Sequence, residues 1–512
     1  MSDLRSLYRE TSHYLIGQVA ALALGFVSFP IFTRVLSVAD YGMMSLVFQI
    51  TAMAVVFSKM GFGQSIQRFY PEHANSSEAD ALKRFSSTIV IGTTVLGLSA
   101  TILFVLGLRL VPDAVVSPAL KKVLLIGSGL IFVRGMQPIL LNFLRAQRKT
   151  KPFNIFNTVM RGATIAFVCV LLFTWSKDVS AVLTGTVAVE LASVIVLVIL
   201  VFPRDAISLS AFDNRIFRTA LAFGMPLALW EQAAVILDSG DRVLVQYYLG
   251  FQQLGYYSCA YNITNYIAQS MMYPLNLALV PIYMEMWETR GPKETVSFLS
   301  NALDNFIMAV MCVMAGVAVT ARSAVIVLGS QKLQNAAPLL PTLVLGVMLY
   351  TVHIFFSAGL VIHKKTRILV KIILYAAALN IALNFLLIPR IGTQGAAIAT
   401  LISYAVFLAM IVRASLAIMP LRINIPGCLR YLVAAVTSVA LVSLIDCSSP
   451  FINLFVRGTL CVSIYGATLY AIDQRFRTMV TNLVPSLGRL HGKPNQQAEL
   501  TAEPVAEARS KV

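Results

Sequence analysis

Long apolar segments alternate with short polar connections along almost the whole of this 512-residue chain. A helix that crosses a membrane needs about 20 mostly apolar residues, because each residue advances the helix by about 1.5 Å. The pattern predicts fourteen such spans. Their approximate cores are 14–33, 42–61, 86–108, 117–144, 154–174, 180–202, 216–238, 255–284, 296–328, 336–362, 368–389, 395–413, 428–446 and 451–472. We therefore expect an all-α protein that crosses a membrane many times.

The basic residues of the connections indicate how these spans are oriented. If the N-terminus is cytoplasmic, the connections on the cytoplasmic side carry 21 Lys and Arg residues and those on the other side carry eight. Lys and Arg accumulate in short cytoplasmic connections. The bias predicts that both termini are cytoplasmic, and the polar composition of the C-terminal tail, 475–512, predicts disorder.

Two separate features of the chain recur at nearly the same distance. The pattern L-x5-G-x2-S occurs at 36–45 and again at 249–258, an offset of 213 residues, and a basic tetrapeptide occurs at 148–151 and again at 364–367, an offset of 216. Because six spans separate the copies, both copies have the same orientation. The recurrence predicts two parallel six-helix bundles around a central cavity, at 1–205 and 206–415, followed by two additional helices at 416–474.

The composition agrees with this class. The chain is 58% hydrophobic and 12% charged, whereas soluble domains are about 25% charged. The net charge of +17 is explained by cytoplasmic connections, so we expect no nucleic-acid partner. The six Cys residues form no CxxC pair and the five His residues have no metal-ligand spacing. We therefore predict no metal, no cofactor and no enzymatic activity.

Four segments resemble a known family. They are FPIFTRVLSVADYGMMSL (29–46), GFGQSIQRFYPE (61–72), DRVLVQYYLGFQQLGYYSCAYNI (241–263) with its continuation PLNLALVPIY (274–283), and LNIALNFLLIPRIGTQGAAIATLISY (379–404). Together they are similar to the polysaccharide exporters, or Wzx-type flippases, of the multidrug/oligosaccharidyl-lipid/polysaccharide superfamily. The resemblance implies a protein of the bacterial inner membrane that flips undecaprenyl-diphosphate-linked oligosaccharide units by alternating access. It also implies drive by the proton gradient, contact with membrane lipid and contact with other polysaccharide export proteins.

Arg457, in the fourteenth predicted span, is expected to pair with a neighbour or a lipid head group. Three other arginines within predicted spans are candidates for a substrate path: Arg134 in the fourth, Arg161 in the fifth and Arg322 in the ninth. A diphosphate and its sugars need a wet, cationic path through hydrocarbon, because an unpaired charge is costly to bury. A guanidinium group suits phosphate, since it donates two hydrogen bonds at once. We expect these arginines to line the substrate cavity. For Arg322, near the end of its span, the alternative is extension toward the interface.

Two acidic residues within spans are candidates for proton coupling, namely Glu231 in the seventh span and Glu190 in the sixth. Glu231 lies about fifteen residues into its helix, roughly 22 Å along it. A carboxyl group in a nonpolar environment can carry a proton near neutral pH. The alternative for Glu231 is a fixed ion pair with Arg134 or Arg161. Lys59, near the end of its own span, is expected to extend toward the interface.

The seventh span ends in a charged cluster of Asp238, Asp241 and Arg242. Ionisable residues at membrane depth call for a functional explanation. We interpret the cluster as an ion-paired gate on the outer side, and the alternative is a purely structural turn.

Other functions remain open at this point. A polymerase or ligase that uses the same lipid carrier would need a sizeable exposed loop with catalytic groups, and the predicted outer loops are short. A lipid II flippase would move a cargo with the same diphosphate. A multidrug exporter of cations would favour an acidic cavity, whereas arginine is prominent within these spans.

Overall fold

The computed structural model describes residues 24–78, 80–203 and 206–481. Within these ranges the chain forms helices joined by short connections. A π-helical turn, Val325–Gly329, and a 3-10 helix, Gln331–Leu339, separate α11 from α12. The α-helices are α1 Leu24–Val35, α2 Val38–Lys59, α3 Phe62–Ala74, α4 Ala81–Leu110, α5 Pro118–Gly127, α6 Gly129–Ala146, α7 Thr150–Thr174, α8 Val179–Val201, α9 Asn214–Ser239, α10 Asp241–Thr289, α11 Pro292–Ala324, α12 Leu340–Ile362, α13 Thr366–Leu416, α14 Ile425–Ser443 and α15 Pro450–Ile472.

Eleven helical stretches of the described chain are long and apolar enough to cross a membrane. Two of them, 214–289 and 366–416, each contain two predicted spans. The first predicted span, 14–33, lies partly outside the described residues, and most of the tail predicted to be disordered lies outside them as well. The predicted all-α membrane fold is confirmed.

Glycines interrupt the two longest helices. Gly250 in α10 has φ 79° and Gly392 in α13 has φ 64°. These left-handed conformations are strained for residues with a Cβ atom and are accessible to glycine. The sequence left open whether the seventh span continues past Asp241 to Leu249, and the structure shows helix over 241–249 up to the break at Gly250.

The same unusual turn follows α6 and α12. Arg148 has φ 56° and Lys364 has φ 57°, although left-handed backbone is uncommon for residues other than glycine. In both turns the next amide reaches back to the preceding helix, from Lys149 to the Leu144 oxygen at 2.9 Å and from Lys365 to the Leu360 oxygen at 2.8 Å. The matching geometry at the predicted offset supports duplication, and the exact bundle boundaries stay a prediction.

The two additional helices pack on α11. Tyr431 and Ala434 of α14 and Cys461 of α15 are buried in one cluster with Ala315 and Val319. At one end of this contact the buried Asp304 accepts a hydrogen bond from the Tyr431 hydroxyl at 3.1 Å and forms an ion pair with Arg475. The additional helices are therefore fixed to the second half of the chain, 206–415, by both apolar and ionic contacts.

The predicted cytoplasmic location of the C-terminal end can be tested with reporter fusions. A green fluorescent protein fused after Arg475 is expected to fluoresce, and alkaline phosphatase fused there is expected to be inactive, because the charge bias places this end in the cytoplasm. A fusion after Lys332 provides the opposite control, with active phosphatase expected. Active phosphatase after Arg475 would contradict the orientation.

Candidate functional site

A cavity of about 550 Å³ lies within the first half of the chain, between α1, α2, α6, α7 and α8. Its volume falls in the range of typical ligand pockets, about 300–1,000 Å³. Apolar side chains form much of its wall, and polar groups converge among them. These polar residues are Ser28, Arg134, Gln137, Asn157, Arg161, Thr164, Thr186, Glu190 and Ser193.

Arg134 and Glu190 meet in this cavity as a two-pronged ion pair. Arg134 Nη2 lies 2.8 Å from Glu190 Oε1, and Arg134 Nε lies 2.9 Å from Glu190 Oε2. The guanidinium carbon also lies 5.1 Å from the centre of the Phe48 ring. This geometry fixes both side chains and compensates their charges in a nonpolar setting. The sequence predicted roles for both residues but did not predict that they pair.

Arg161 is the second cation of the cavity. Its guanidinium lies so close to Gly25 that a Cβ there would be 2.7 Å from Nη2. Within the described part of the chain, no acidic group forms an ion pair with Arg161. Tyr266 of α10 donates a hydrogen bond to the Gly25 oxygen at 2.9 Å, which brings the second half of the chain to the edge of the cavity. Arg161 therefore has donors available for an anionic group.

Glu231 lies outside this cavity, where α9 meets α2. It forms an ion pair with Lys59, with Nζ 2.5 Å from Oε1. Nearby, a Cβ on Gly61 would lie 2.1 Å from the Gly224 oxygen, and Ser65 Oγ donates to the Ala220 oxygen at 2.9 Å. The pair thus joins the two halves at a close backbone approach. The alternatives of Arg134 or Arg161 as partner were wrong, and Lys59 bonds across the halves instead of extending to the interface.

The predicted gate residues are held inside the second half. Asp238 accepts a hydrogen bond from the Tyr261 hydroxyl at 2.7 Å, and Asp241 accepts from Tyr257 and, at 3.2 Å, from Thr400 of α13. The buried Arg242 lies with its guanidinium carbon 4.2 Å from the centre of the Tyr261 ring. Asp241 Oδ1 and two nitrogens of Arg242, Nε and Nη1, are buried without a hydrogen-bond partner. These contacts join α9, α10 and α13, so the gate role stays a prediction.

The halves touch near this cluster through the two copies of the repeated motif. A Cβ on Gly42 would lie 2.2 Å from the Phe251 oxygen, and a Cβ on Gly255 would lie 2.1 Å from the Val38 oxygen. Both pairs of equivalent residues are 213 positions apart, so the contact is reciprocal, as at a two-fold axis. Asn262 also donates a hydrogen bond to the Tyr41 hydroxyl across the contact, at 2.5 Å.

This reciprocal contact was missed by the sequence analysis. The repeated glycines were a usable signal, because glycine permits close backbone approach. The motif served there only as evidence of duplication. Its physical role is to bring α2 and α10 together.

Arg322 does not share the cavity of Arg134 and Arg161. It lies at the end of α11 beside Arg457 of α15, where both arginines line two other cavities. Its Nη2 approaches the Gln334 side-chain oxygen at 3.4 Å. The structure therefore separates one of the three predicted cavity arginines from the other two.

Solved structures with a similar fold belong to membrane transporters. The lipid II flippase MurJ in an inward closed conformation superposes with a TM-score of 0.70 at 16% identity, covering 90% of this chain and 98% of that chain. A multidrug resistance MATE family transporter in an inward-facing conformation gives a TM-score of 0.60 at 14% identity, covering 78% and 93%. Identities this low establish the fold alone, which is a transporter fold.

The amino-acid sequence is also similar to that of other membrane proteins. An uncharacterised membrane protein of Methanocaldococcus jannaschii is 22% identical over 427 residues, which is 79% of this chain and 83% of that protein. The sequence pattern of polysaccharide biosynthesis proteins matches residues 7–287, more than half of the chain. The chain thus belongs to the polysaccharide biosynthesis protein family, as the resemblance of its motifs predicted.

Proposed function

We propose that this protein translocates oligosaccharide repeat units linked to undecaprenyl diphosphate across the bacterial inner membrane for the synthesis of surface polysaccharide. The observation that carries the proposal is the polar cavity of the first half, in which Arg161 has no acidic partner among the described residues. Membership of the polysaccharide biosynthesis protein family and the transporter fold both support it.

The groups on the cavity wall match the chemistry of such a cargo. Arg161 offers a planar set of donors that suits a phosphate group. Gln137, Asn157 and Thr164 offer donors and acceptors for sugar hydroxyl groups. Arg134 is already paired with Glu190, so among the described residues the wall holds one paired cation, Arg134, and one without an acidic partner, Arg161. An uncompensated cation in a membrane-embedded cavity favours an anionic ligand.

The charge of the cavity wall also helps to decide between the alternative functions. A cavity with a free guanidinium repels organic cations, which argues against export of cationic drugs. A lipid II cargo carries the same diphosphate, and the likeness to a lipid II flippase makes it the second candidate. A polymerase that acts outside the cell would use repeat units already delivered to the outer leaflet.

Deletion of the gene separates these functions. In spheroplasts of the deletion strain, the lipid-linked repeat unit is expected to accumulate and to resist a membrane-impermeant glycosidase. Restoring the gene is expected to make it accessible. Accumulated units that are already accessible in the deletion strain would favour the polymerase, and loss of peptidoglycan synthesis with normal repeat-unit export would favour the lipid II cargo.

We also propose that the pair between Glu231 and Lys59 takes part in proton coupling. The pair bridges α9 and α2, and the side chains of Glu231 and Lys59 are 30% and 19% exposed, so water and protons can reach them. Protonation of Glu231 would remove its attraction to Lys59 and weaken the contact between the halves.

Glu231→Gln is expected to fold, to slow transport several-fold and to flatten its pH dependence, because the titrating group is gone. Transport of reconstituted protein would be measured across a pH series. Glu72→Gln is the matched control, since Glu72 pairs with Arg68 on the exposed surface of α3. If Glu231→Gln retains the wild-type pH profile, coupling lies elsewhere, with Glu190 the next candidate.

A further inference from the structure

A second cationic site lies away from the transport cavity, at the end of the bundle that the charge bias places outside the cytoplasm. It is a cavity of about 330 Å³ between α11, α15 and the start of the 3-10 helix. Arg322 of α11 and Arg457 of α15 line both this cavity and a neighbouring one of about 550 Å³. The side chains of two arginines from different helices therefore lie together on the walls of two cavities.

The charges of this site are not compensated by neighbouring acids. Neither arginine forms an ion pair within the described part of the chain, and Arg457 Nε is buried without a hydrogen-bond partner. The one acidic residue on the wall, Asp446, accepts a hydrogen bond from Asn453 Nδ2 at 2.9 Å. Asn453 is 8% exposed, and its Oδ1 also has no partner. A buried guanidinium nitrogen and a buried amide oxygen, both unpaired in one cavity, indicate a missing polar ligand.

The first turn of α15 adds positive potential. Ser448 and Pro450 belong to the wall, and the Ser449 side chain does not cap the helix. The amide groups at the start of a helix are unpaired and favour an anion. Arg457 lies about two turns further along the same helix, so charge and helix terminus face the same region.

The surroundings indicate that the anion is part of a lipid. The cavity lies between α-helices whose outer surfaces are apolar. Phe451, Ile452 and Phe455 of α15 are 53–58% exposed on faces of the helix that do not line the cavity. A cationic cavity at the end of such membrane-exposed helices matches a phosphate headgroup whose acyl chains lie in the surrounding bilayer.

We propose that Arg322 and Arg457 bind the phosphate of an anionic phospholipid headgroup, with its acyl chains in the bilayer beside α15. The lipid joins α15 to α11 at this end of the bundle, opposite the contact that Asp304 and Arg475 make. The site is separate from the transport cavity, and lipid binding can be measured without transport.

Purified full-length protein in nanodiscs of phosphatidylcholine with a minor fraction of phosphatidylglycerol provides the test. Native mass spectrometry would count the lipids that remain bound. Wild-type protein is expected to retain phosphatidylglycerol in preference to phosphatidylcholine. The double variant Arg322→Gln/Arg457→Gln is expected to lose this preference by about tenfold, because charged hydrogen bonds to phosphate are removed. Arg109→Gln, at the exposed end of α4, is the matched control and should keep it.

Two further arms complete the test. Arg457→Lys keeps the charge and should retain part of the preference. This variant shows whether the loss in the double variant comes from the missing charge or from misfolding. Inorganic phosphate is expected to leave phosphatidylglycerol bound, because it lacks the apolar contacts. Equal retention of both lipids by wild-type protein, an unchanged preference in the double variant, or ready displacement by inorganic phosphate would overturn the proposal.

Discussion

Gly42→Ala is expected to reduce polysaccharide export to about a tenth or less while the protein still reaches the membrane. The new Cβ atom would lie 2.2 Å from the backbone oxygen of Phe251, which cannot rotate away as a side chain could. Overpacking of this kind costs about 1–3 kcal/mol, and each 1.4 kcal/mol changes an equilibrium about tenfold. In the proposed alternating-access cycle this contact closes once in each cycle, and the variant would make the conformation described here rare.

The reciprocal geometry supplies an internal check. Gly255→Ala should have a similar effect, because its Cβ would lie 2.1 Å from the Val38 oxygen. Gly107→Ala in α4 is the control, since its Cβ would meet no atom within 4 Å. Export would be normalised to the amount of folded protein, measured by fluorescence-detected size-exclusion chromatography. Normal export by Gly42→Ala would show that the contact need not close.

Arg161→Ala is expected to abolish export, and Arg134→Ala is expected to reduce it severely. Removal of Arg161 takes away the unpaired cation of the cavity, whereas removal of Arg134 leaves Glu190 without its partner in a nonpolar setting. Because the Arg134 and Glu190 side chains are 32% and 16% exposed, the loss should be smaller than the about 3–5 kcal/mol that a fully buried ion pair would lose. Lys at position 161 should restore part of the export, because it keeps the charge but not the two-pronged donor geometry.

The two arginines can be distinguished by stability. The Arg134→Ala variant should also melt at a lower temperature, and combining it with Glu190→Gln should recover part of the loss, because the orphaned charge is removed. Arg161→Ala should leave the melting temperature unchanged. Full export by the Arg134→Ala/Arg161→Ala double variant at normal expression would refute the role of the cavity.

The hydrophobic pattern was sufficient to predict the fold, because each span must satisfy its backbone within a helix in the membrane. Unusual local structure was predictable only in part. The basic turns at Arg148 and Lys364 were recognised as a repeat, and the structure adds their shared left-handed backbone.

The partners of the embedded charges were not predictable from sequence. Lys59 and Glu231 are 172 residues apart and Arg134 and Glu190 are 56 apart, so only the packing of helices decides which of them meet. Depth along a span can be read from the chain, whereas the direction in which a side chain points around the bundle cannot. For this reason Arg322 was grouped with Arg134 and Arg161, although it lies at a different site.

The central claim is that the purified protein alone moves a diphosphate-linked oligosaccharide through an arginine-lined cavity. Its most direct test is proteoliposomes loaded with undecaprenyl-diphosphate oligosaccharide, in which an external glycosidase reports the fraction that becomes accessible over time. The account predicts rapid exposure with wild-type protein and with Arg109→Ala, and none above empty liposomes with Arg161→Ala. Exposure at the wild-type rate with Arg161→Ala, or no exposure with folded wild-type protein under a proton gradient, would contradict it.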